Sequence, residues 1–290
     1  MKELRLTISA LLLPLAAIAG QTPADPPPAL RSLVEGSGRA VVMLGGGVYG
    51  AAGFAQHANI LARDFTVVRL QTLNIERAQM GQPLPADYSL NLESAAMARA
   101  LDALSLTGPV DIVGVSFGGL VALDFALEHP GRVRTLTLFE PPAFWAMPAS
   151  VLTKSPEMRA MIELSRTFGP TIDPTDAQLA QFQCALGNCG LTPPPAGTPE
   201  RAAWDARRAS LRGLAAVPTH RDSPDRLKTF RRPVLIMTGT DTVNFHRLIN
   251  ETLAALLPMV ERADVAGGHT APTASRDDFL AKWRAFLTKH

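Results

Sequence analysis

Gly114-Val115-Ser116-Phe117-Gly118-Gly119 follows the apolar run 110–113 (VDIV) and precedes the helical run 120–129 (LVALDFALEH). In a strand-turn-helix setting, G-x-S-x-G forms a nucleophile elbow, whose flanking glycines permit a sharp, strained turn that presents the serine hydroxyl. Elsewhere the same residues would make an ordinary glycine-rich turn, so position makes the pattern informative. A serine hydroxyl attacks poorly until a base takes its proton, which directs attention to the histidines. His57 and His246 fall within helical patterns and are expected on the surface or in packing. His129 ends the helix after the elbow, and His290 ends the sequence. Only His269, in Ala266-Gly267-Gly268-His269-Thr270, lies between a candidate last strand and the last helix, where a loop can carry it over Ser116. A base in turn needs a carboxylate to hold its tautomer. Asp241, in Met237-Thr238-Gly239-Thr240-Asp241, follows the strand run VLIM and is the expected acid. Glu140, at the tip of the run ending at Phe139, is the alternative, with a plain role as a carboxylate pairing with a nearby arginine.

Short β-branched runs at 40–44, 66–70, 110–115, 133–139, 234–237 and, more weakly, 262–265 alternate with helical patterns at 51–63, 92–104, 119–128, 245–257 and 277–287. Such alternation implies an α/β fold, a mostly parallel sheet flanked by helices. The last helix places Phe279, Leu280, Trp283 and Leu287 on one stripe. Between Phe139 and Val234 the rhythm stops, and helix starts replace it: Ser155-Pro156-Glu157, Asp173-Pro174, Thr198-Pro199-Glu200 and Ser223-Pro224-Asp225. Each pairs a capping oxygen with a proline at the first helical position, where its missing N–H costs nothing. Gly169 and Gly187 are placed to stop two of these helices.

The order Ser116, Asp241, His269, with a helical segment inserted before the acid, resembles an α/β-hydrolase from residue 39 to residue 287. The resemblance implies a core of residues 39–140 and 233–290 and an all-helical cap of residues 141–232. It also implies a serine hydrolase that cleaves a small-molecule carboxylic ester through an acyl-enzyme, with the backbone N–H groups of Gly47 and Phe117 as the oxyanion hole. Lactonase, thioesterase, C–C hydrolase and acyltransferase chemistry use the same triad, and some members place the acid where Glu140 stands. No metal or organic cofactor is implied. Two features depart from the family pattern. Residues 20–38 are too short and proline-rich for the usual first two strands, so about six strands are expected. Gly45-Gly46 replaces the common His-Gly.

Gly45-Gly46-Gly47-Val48-Tyr49-Gly50 is also a literal G-x-G-x-x-G between a strand and a helix, the fingerprint of a dinucleotide-binding oxidoreductase. The next strand run, FTVVRL, carries no acidic residue at its tip for a ribose, which weighs against that reading. A non-catalytic binding protein on the same fold is a further alternative, opposed by the complete triad.

The 290 residues are 47% hydrophobic and 19% charged, too apolar for a disordered chain, and 2 cysteines cannot build a disulfide scaffold. Lys2 and Arg5 precede the apolar run 6–18, and Ala17-Ile18-Ala19 supplies a cleavage site, the pattern of a signal peptide over residues 1–19. A proline-rich leader follows at 20–38, and the protein is expected to be exported, to the periplasm or beyond. After cleavage no segment is long and apolar enough to span a membrane, and a net charge near zero gives no reason to expect nucleic acid. In an oxidising compartment Cys184 and Cys189 are expected to form a local disulfide; no second ligand pair lies near them for zinc. Basic residues crowd the distal cap, from Arg201 through Arg207, Arg208 and Arg212 to Arg232. A solvated helix face explains them, with attraction of anionic substrates as the sharper alternative.

Overall fold

Along β2 (Ala40–Leu44) every residue after the first is fully buried, so both faces of the strand are covered. Val42 and Leu44 pack on one side of the sheet, and Val41 and Met43 on the other. That is the pattern of a parallel strand enclosed by helices. The computed structural model describes residues 28–290. The expected signal peptide, residues 1–19, and the first part of the proline-rich leader, residues 20–27, lie outside them.

The sheet has seven strands in the order β1-β3-β2-β4-β5-β6-β7. Here β1 is Arg31–Glu35, β3 Thr66–Gln71, β4 Val110–Val115, β5 Val133–Phe139, β6 Val234–Gly239 and β7 Val260–Val265. All neighbours are parallel except β1, which runs antiparallel to β3 at the edge. The expectation of about six strands is corrected by β1: proline ends before Arg31, and five residues suffice to pair with β3 from Arg31↔Gln71 to Glu35↔Val67. Leu33 and Val34 stay exposed there, so the strand lacks the clean alternation that marks a half-buried one.

Between the strands run α1 (Ala55–Leu61), α2 (Leu73–Gln79), α3 (Leu90–Ala103) and α4 (Phe117–Glu128). One face of the sheet packs on α3, α4 and the later α10 (Asn244–Leu256); the other packs on α1 and the terminal α12 (Arg276–Lys289). The stripe on α12 is buried as expected, with Phe286 added to it. Between β5 and β6 come α5 (Ala149–Lys154), α6 (Pro156–Arg166), α7 (Asp176–Ala185), α8 (Pro199–Leu214) and α9 (Pro224–Thr229). Helices α6, α8 and α9 start at the expected prolines, each capped by the preceding Ser or Thr oxygen. Helix α7 instead starts after Thr175, whose hydroxyl accepts from Gln178 N–H while Thr175 N–H donates to Gln178 Oε1. This reciprocal capping box satisfies two free donors, against one for the expected Asp173 cap. The described residues contain no helix long and apolar enough to cross a membrane.

Strands β3 and β4 flank β2 on opposite sides, so the chain reverses its direction of travel across the sheet at β2 and β4. In open parallel sheets the crevice outside the carboxyl ends of strands at such a reversal is where ligands bind. The loops after β2 and β4 carry the glycine cluster and Ser116.

Candidate active site

Ser116 sits between β4 and α4 with φ 53° and ψ −123°, in backbone space that residues with a Cβ rarely occupy. Its N–H donates to Phe139 O at 2.8 Å, which ties the turn to the end of β5. A Cβ on Gly118 would lie 2.4 Å from Gly45 O, so only glycine lets the elbow approach the loop after β2. Across that gap a Cβ on Gly46 would be 3.7 Å from Ser116 Cβ, and one on Gly47 would be 3.0 Å from Phe117 Cβ and 2.7 Å from Leu214 Cδ2. The Gly47 and Phe117 backbones therefore meet in one corner beside Ser116, and among the described residues neither N–H has a backbone acceptor.

His269 rides on the loop between β7 and the short α11 (Ala271–Ala274). Its Nδ1 lies 2.6 Å from Glu140 Oε2, and Gly239 N–H donates to Glu140 Oε1 at 2.8 Å. Glu140 is fully buried and, like Ser116, has a positive φ, of 47°. Asp241 does not take part. It is exposed, and its contact with the histidine loop is its backbone N–H, which donates to Gly267 O at 2.9 Å. The expectation that Asp241 orients His269 is thus corrected in favour of Glu140. Strand β5 is the neighbour of the central strand β4, so its tip stands beside the Ser116 elbow, whereas Asp241 stands two residues beyond β6, one strand further toward the edge.

With Nδ1–H donated to a buried carboxylate, His269 keeps a lone pair on Nε2, the tautomer a general base requires. Ser116 and His269 line one cavity of about 270 Å³, together with Gly46, Gly47, Phe54 and Leu214. No hydrogen bond joins the Ser116 hydroxyl to His269 in this conformation. Such contacts commonly tighten when substrate binds.

Sequence reasoning missed His246. Its ring stacks on His269 with centroids 4.3 Å apart and planes within 5°, and both of its nitrogens are buried without a partner. Burial, with the adjacent His269 adding repulsion, holds its pKa well below the ordinary histidine value. Glu140, His246 and His269 bring their ligating atoms within 4.8 Å of one another, as a metal set would. Stacked parallel rings do not fit that purpose, because a metal lies in the plane of each imidazole it binds and these two planes do not meet. His57, by contrast, is buried with its Nε2 2.7 Å from Pro272 O, an anchor for the loop that carries His269.

The glycine cluster lines the cavity that Ser116 and His269 border, which the dinucleotide reading does not account for. Leu214 of the cap packs on Gly47, and Asn74 Nδ2 donates to Gly47 O at 2.9 Å. None of the cap bases lines the cavity. Arg201 and Arg208 pair with Asp176 and Asp205, and Arg226 with Asp222 and Glu128. Cys184 and Cys189 are disulfide-bonded.

A parallel sheet flanked by helices, with an acid-histidine pair beside a serine on a strained elbow, defines a class of hydrolases. Residues 16–283 match the profile of the Alpha/beta hydrolase family, and the chain belongs to it. A Caulobacter segnis protein named as a candidate carbamate hydrolase (RutD) is 26% identical over 245 residues, covering 80% of this chain and 85% of that protein. A 2-hydroxy-6-oxo-2,4-heptadienoate hydrolase of Pseudomonas putida is 35% identical over 106 residues, 36% of this chain and 37% of that one. Among solved structures, an esterase from Thermogutta terrifontis superposes with a TM-score of 0.65 at 19% identity, covering 90% of this chain and 93% of that one. The enol-lactonase from Burkholderia xenovorans does so with 0.59 at 16%, covering 89% and 96%. At these identities the structural likenesses establish the fold.

Proposed function

We propose that this hydrolase cleaves a carboxylic ester through an acyl-enzyme on Ser116. The reading is carried by the buried Glu140 bonded to His269 Nδ1, with His269 and Ser116 bordering one cavity. His269 Nε2 takes the hydroxyl proton as Ser116 Oγ attacks the carbonyl carbon. The oxygen that becomes negative is held by the N–H groups of Gly47 and Phe117, whose benefit is greatest in the transition state. Collapse expels the alcohol with the proton from His269, and water repeats the sequence to release the acid.

The Pseudomonas putida relative is named for a dienoate, a carboxylate. An anionic substrate of that kind calls for a cation at the site, and among the described residues no Lys or Arg lines the cavity. This supports a neutral ester over an anionic C–C hydrolase substrate.

Incubation with a fluorophosphonate probe tests the reading: wild type labels, and Ser116→Ala does not. Ser116→Ala and His269→Ala are each expected to lose most ester hydrolysis, and the double variant little more, because triad members act as a unit. Additive losses, or an unlabelled wild type at neutral pH, would overturn the assignment. We also propose export with cleavage after Ala19, which N-terminal sequencing of the secreted or periplasmic form checks.

A further inference from the structure

Ser116 stands between two compartments of unequal size. The larger, of about 270 Å³, contains His269 in its wall. The smaller, of about 30 Å³, is walled by Phe117, Pro142, Phe144, Met161, Val217 and Phe245, with His246 and Ser165 as its polar members beside Ser116, and lacks His269. Ser116, Phe182, Leu186 and Leu214 border both, so the compartments meet at the serine.

Protonation decides which half of an ester goes where. The alkoxide leaves only when His269 delivers its proton, so the alcohol has to occupy the compartment that His269 borders. The acyl chain is then left with the small one. A volume of 30 Å³ accommodates on the order of two water-sized groups, enough for a methyl to a propyl chain. Among the described residues no Asp, Glu, Lys or Arg lines that space, and its walls are mainly aromatic and aliphatic. A carboxylate placed there would be desolvated with no cation to offset the cost. His246 supplies no positive charge, because burial and the adjacent His269 keep it neutral.

Resting on the ester reading above, we propose that the small compartment is the acyl site, and that the protein selects esters of short, uncharged carboxylic acids with larger apolar alcohols. With the alcohol fixed as 1-naphthol, kcat/KM for acetate and butyrate esters should exceed that for the octanoate ester at least tenfold. The hemisuccinate, as long as butyrate but charged, should fall at least tenfold below butyrate. Met161→Ala and Val217→Ala, which widen only the small compartment, should each raise the octanoate-to-acetate ratio, with fluorophosphonate labelling as the check that each variant is folded.

Octanoate at parity with acetate, hemisuccinate at parity with butyrate, or a ratio unmoved in both labelled variants overturns the proposal while leaving the serine hydrolase standing. A wild type that neither labels nor cleaves any of these esters overturns the ester reading and takes the acyl site with it.

Discussion

Glu140 and Asp241 differ at the level of a single side chain's surroundings, and that difference has a measurable consequence. A carboxylate that orients the base of a serine triad contributes on the order of 10⁴ in turnover, largely by fixing the tautomer. Glu140 is fully buried, 2.6 Å from His269 Nδ1, and is further positioned by Gly239 N–H. We therefore expect Glu140→Gln to lower kcat by several orders of magnitude and Asp241→Asn by less than about tenfold. Circular dichroism should show both variants folded, and steady-state kinetics decides: a larger loss in Asp241→Asn would return the acid to the rim. Ser116 and His269 were legible from local pattern and chain order, because a G-x-S-x-G turn and a histidine in the last loop each announce themselves within a few residues. The acid was not, since both candidates follow a strand and only the sheet order, which sets β5 directly beside β4, tells which tip neighbours the serine elbow. His246 was hidden for a related reason. It reads as one more residue of α10, and its stack on His269 is a contact between segments 23 residues apart in number (269 − 246) that no periodicity encodes.

Helix α2 shows how a short element missed in the sequence supports the site. Its residues 73–79 are few and polar enough to read as loop, yet they are fixed by one buried carboxylate. Glu93 on α3 accepts Leu73 N–H at 2.9 Å, Asn74 N–H at 3.0 Å and the Tyr88 hydroxyl at 2.7 Å. Asn74 then donates through its side chain to Gly47 O at 2.9 Å and to Ser210 O on α8 at 3.2 Å, so one amide joins the Gly47 loop to α8. Asn74→Ala should lower kcat/KM by about tenfold or more, short of the 10² to 10³ of losing an oxyanion donor outright, with an intact thermal midpoint separating this from misfolding. An unchanged kcat/KM would show that the Gly47 loop holds its position without Asn74. Burial raises the pKa of Glu93 to about 7, against the lowering influence of its three hydrogen bonds. Its ordinary value, which the unfolded chain keeps, is 4.5. Between those two pH values the unfolded state is the one that has released the proton, so stability falls as pH rises through that window and levels above it. Relative to Glu93→Gln, the wild type should therefore lose unfolding free energy between about pH 4.5 and 7 in denaturant titrations. A difference between the two that stays flat across the window would mean Glu93 ionises normally in the native state.

At the scale of the molecule, the helices inserted between β5 and β6 are braced against one another. Asp176 at the start of α7 accepts from Trp204 Nε1 and from two nitrogens of Arg201, both on α8, which holds these helices side by side. The extent of this helical segment was legible because proline-led helix starts recur without a strand between them. Its place in the wall of the cavity beside Ser116 was not, since Gln183, Leu186 and Asn188 come to that cavity, lined also by the glycine loop, only in the folded chain. Those three residues are enclosed or flanked by the disulfide from Cys184 to Cys189, both exposed. In the chain-entropy account, a loop this short constrains the unfolded chain by only about 2 kcal/mol. For a domain of this size that corresponds to about 4–8 °C in thermal midpoint. The larger effect should be local, on the segment that shapes the space for the alcohol. We expect a Cys184→Ser, Cys189→Ser double variant, or wild type treated with a phosphine reductant, to raise KM several-fold for esters of bulky alcohols. For methyl esters, whose alcohol leaves most of the larger compartment, where Asn188 lies, unfilled, KM should change much less. A KM shift equal for both kinds of ester would assign the bond to general stability, and no shift in either would remove it from the substrate cavity.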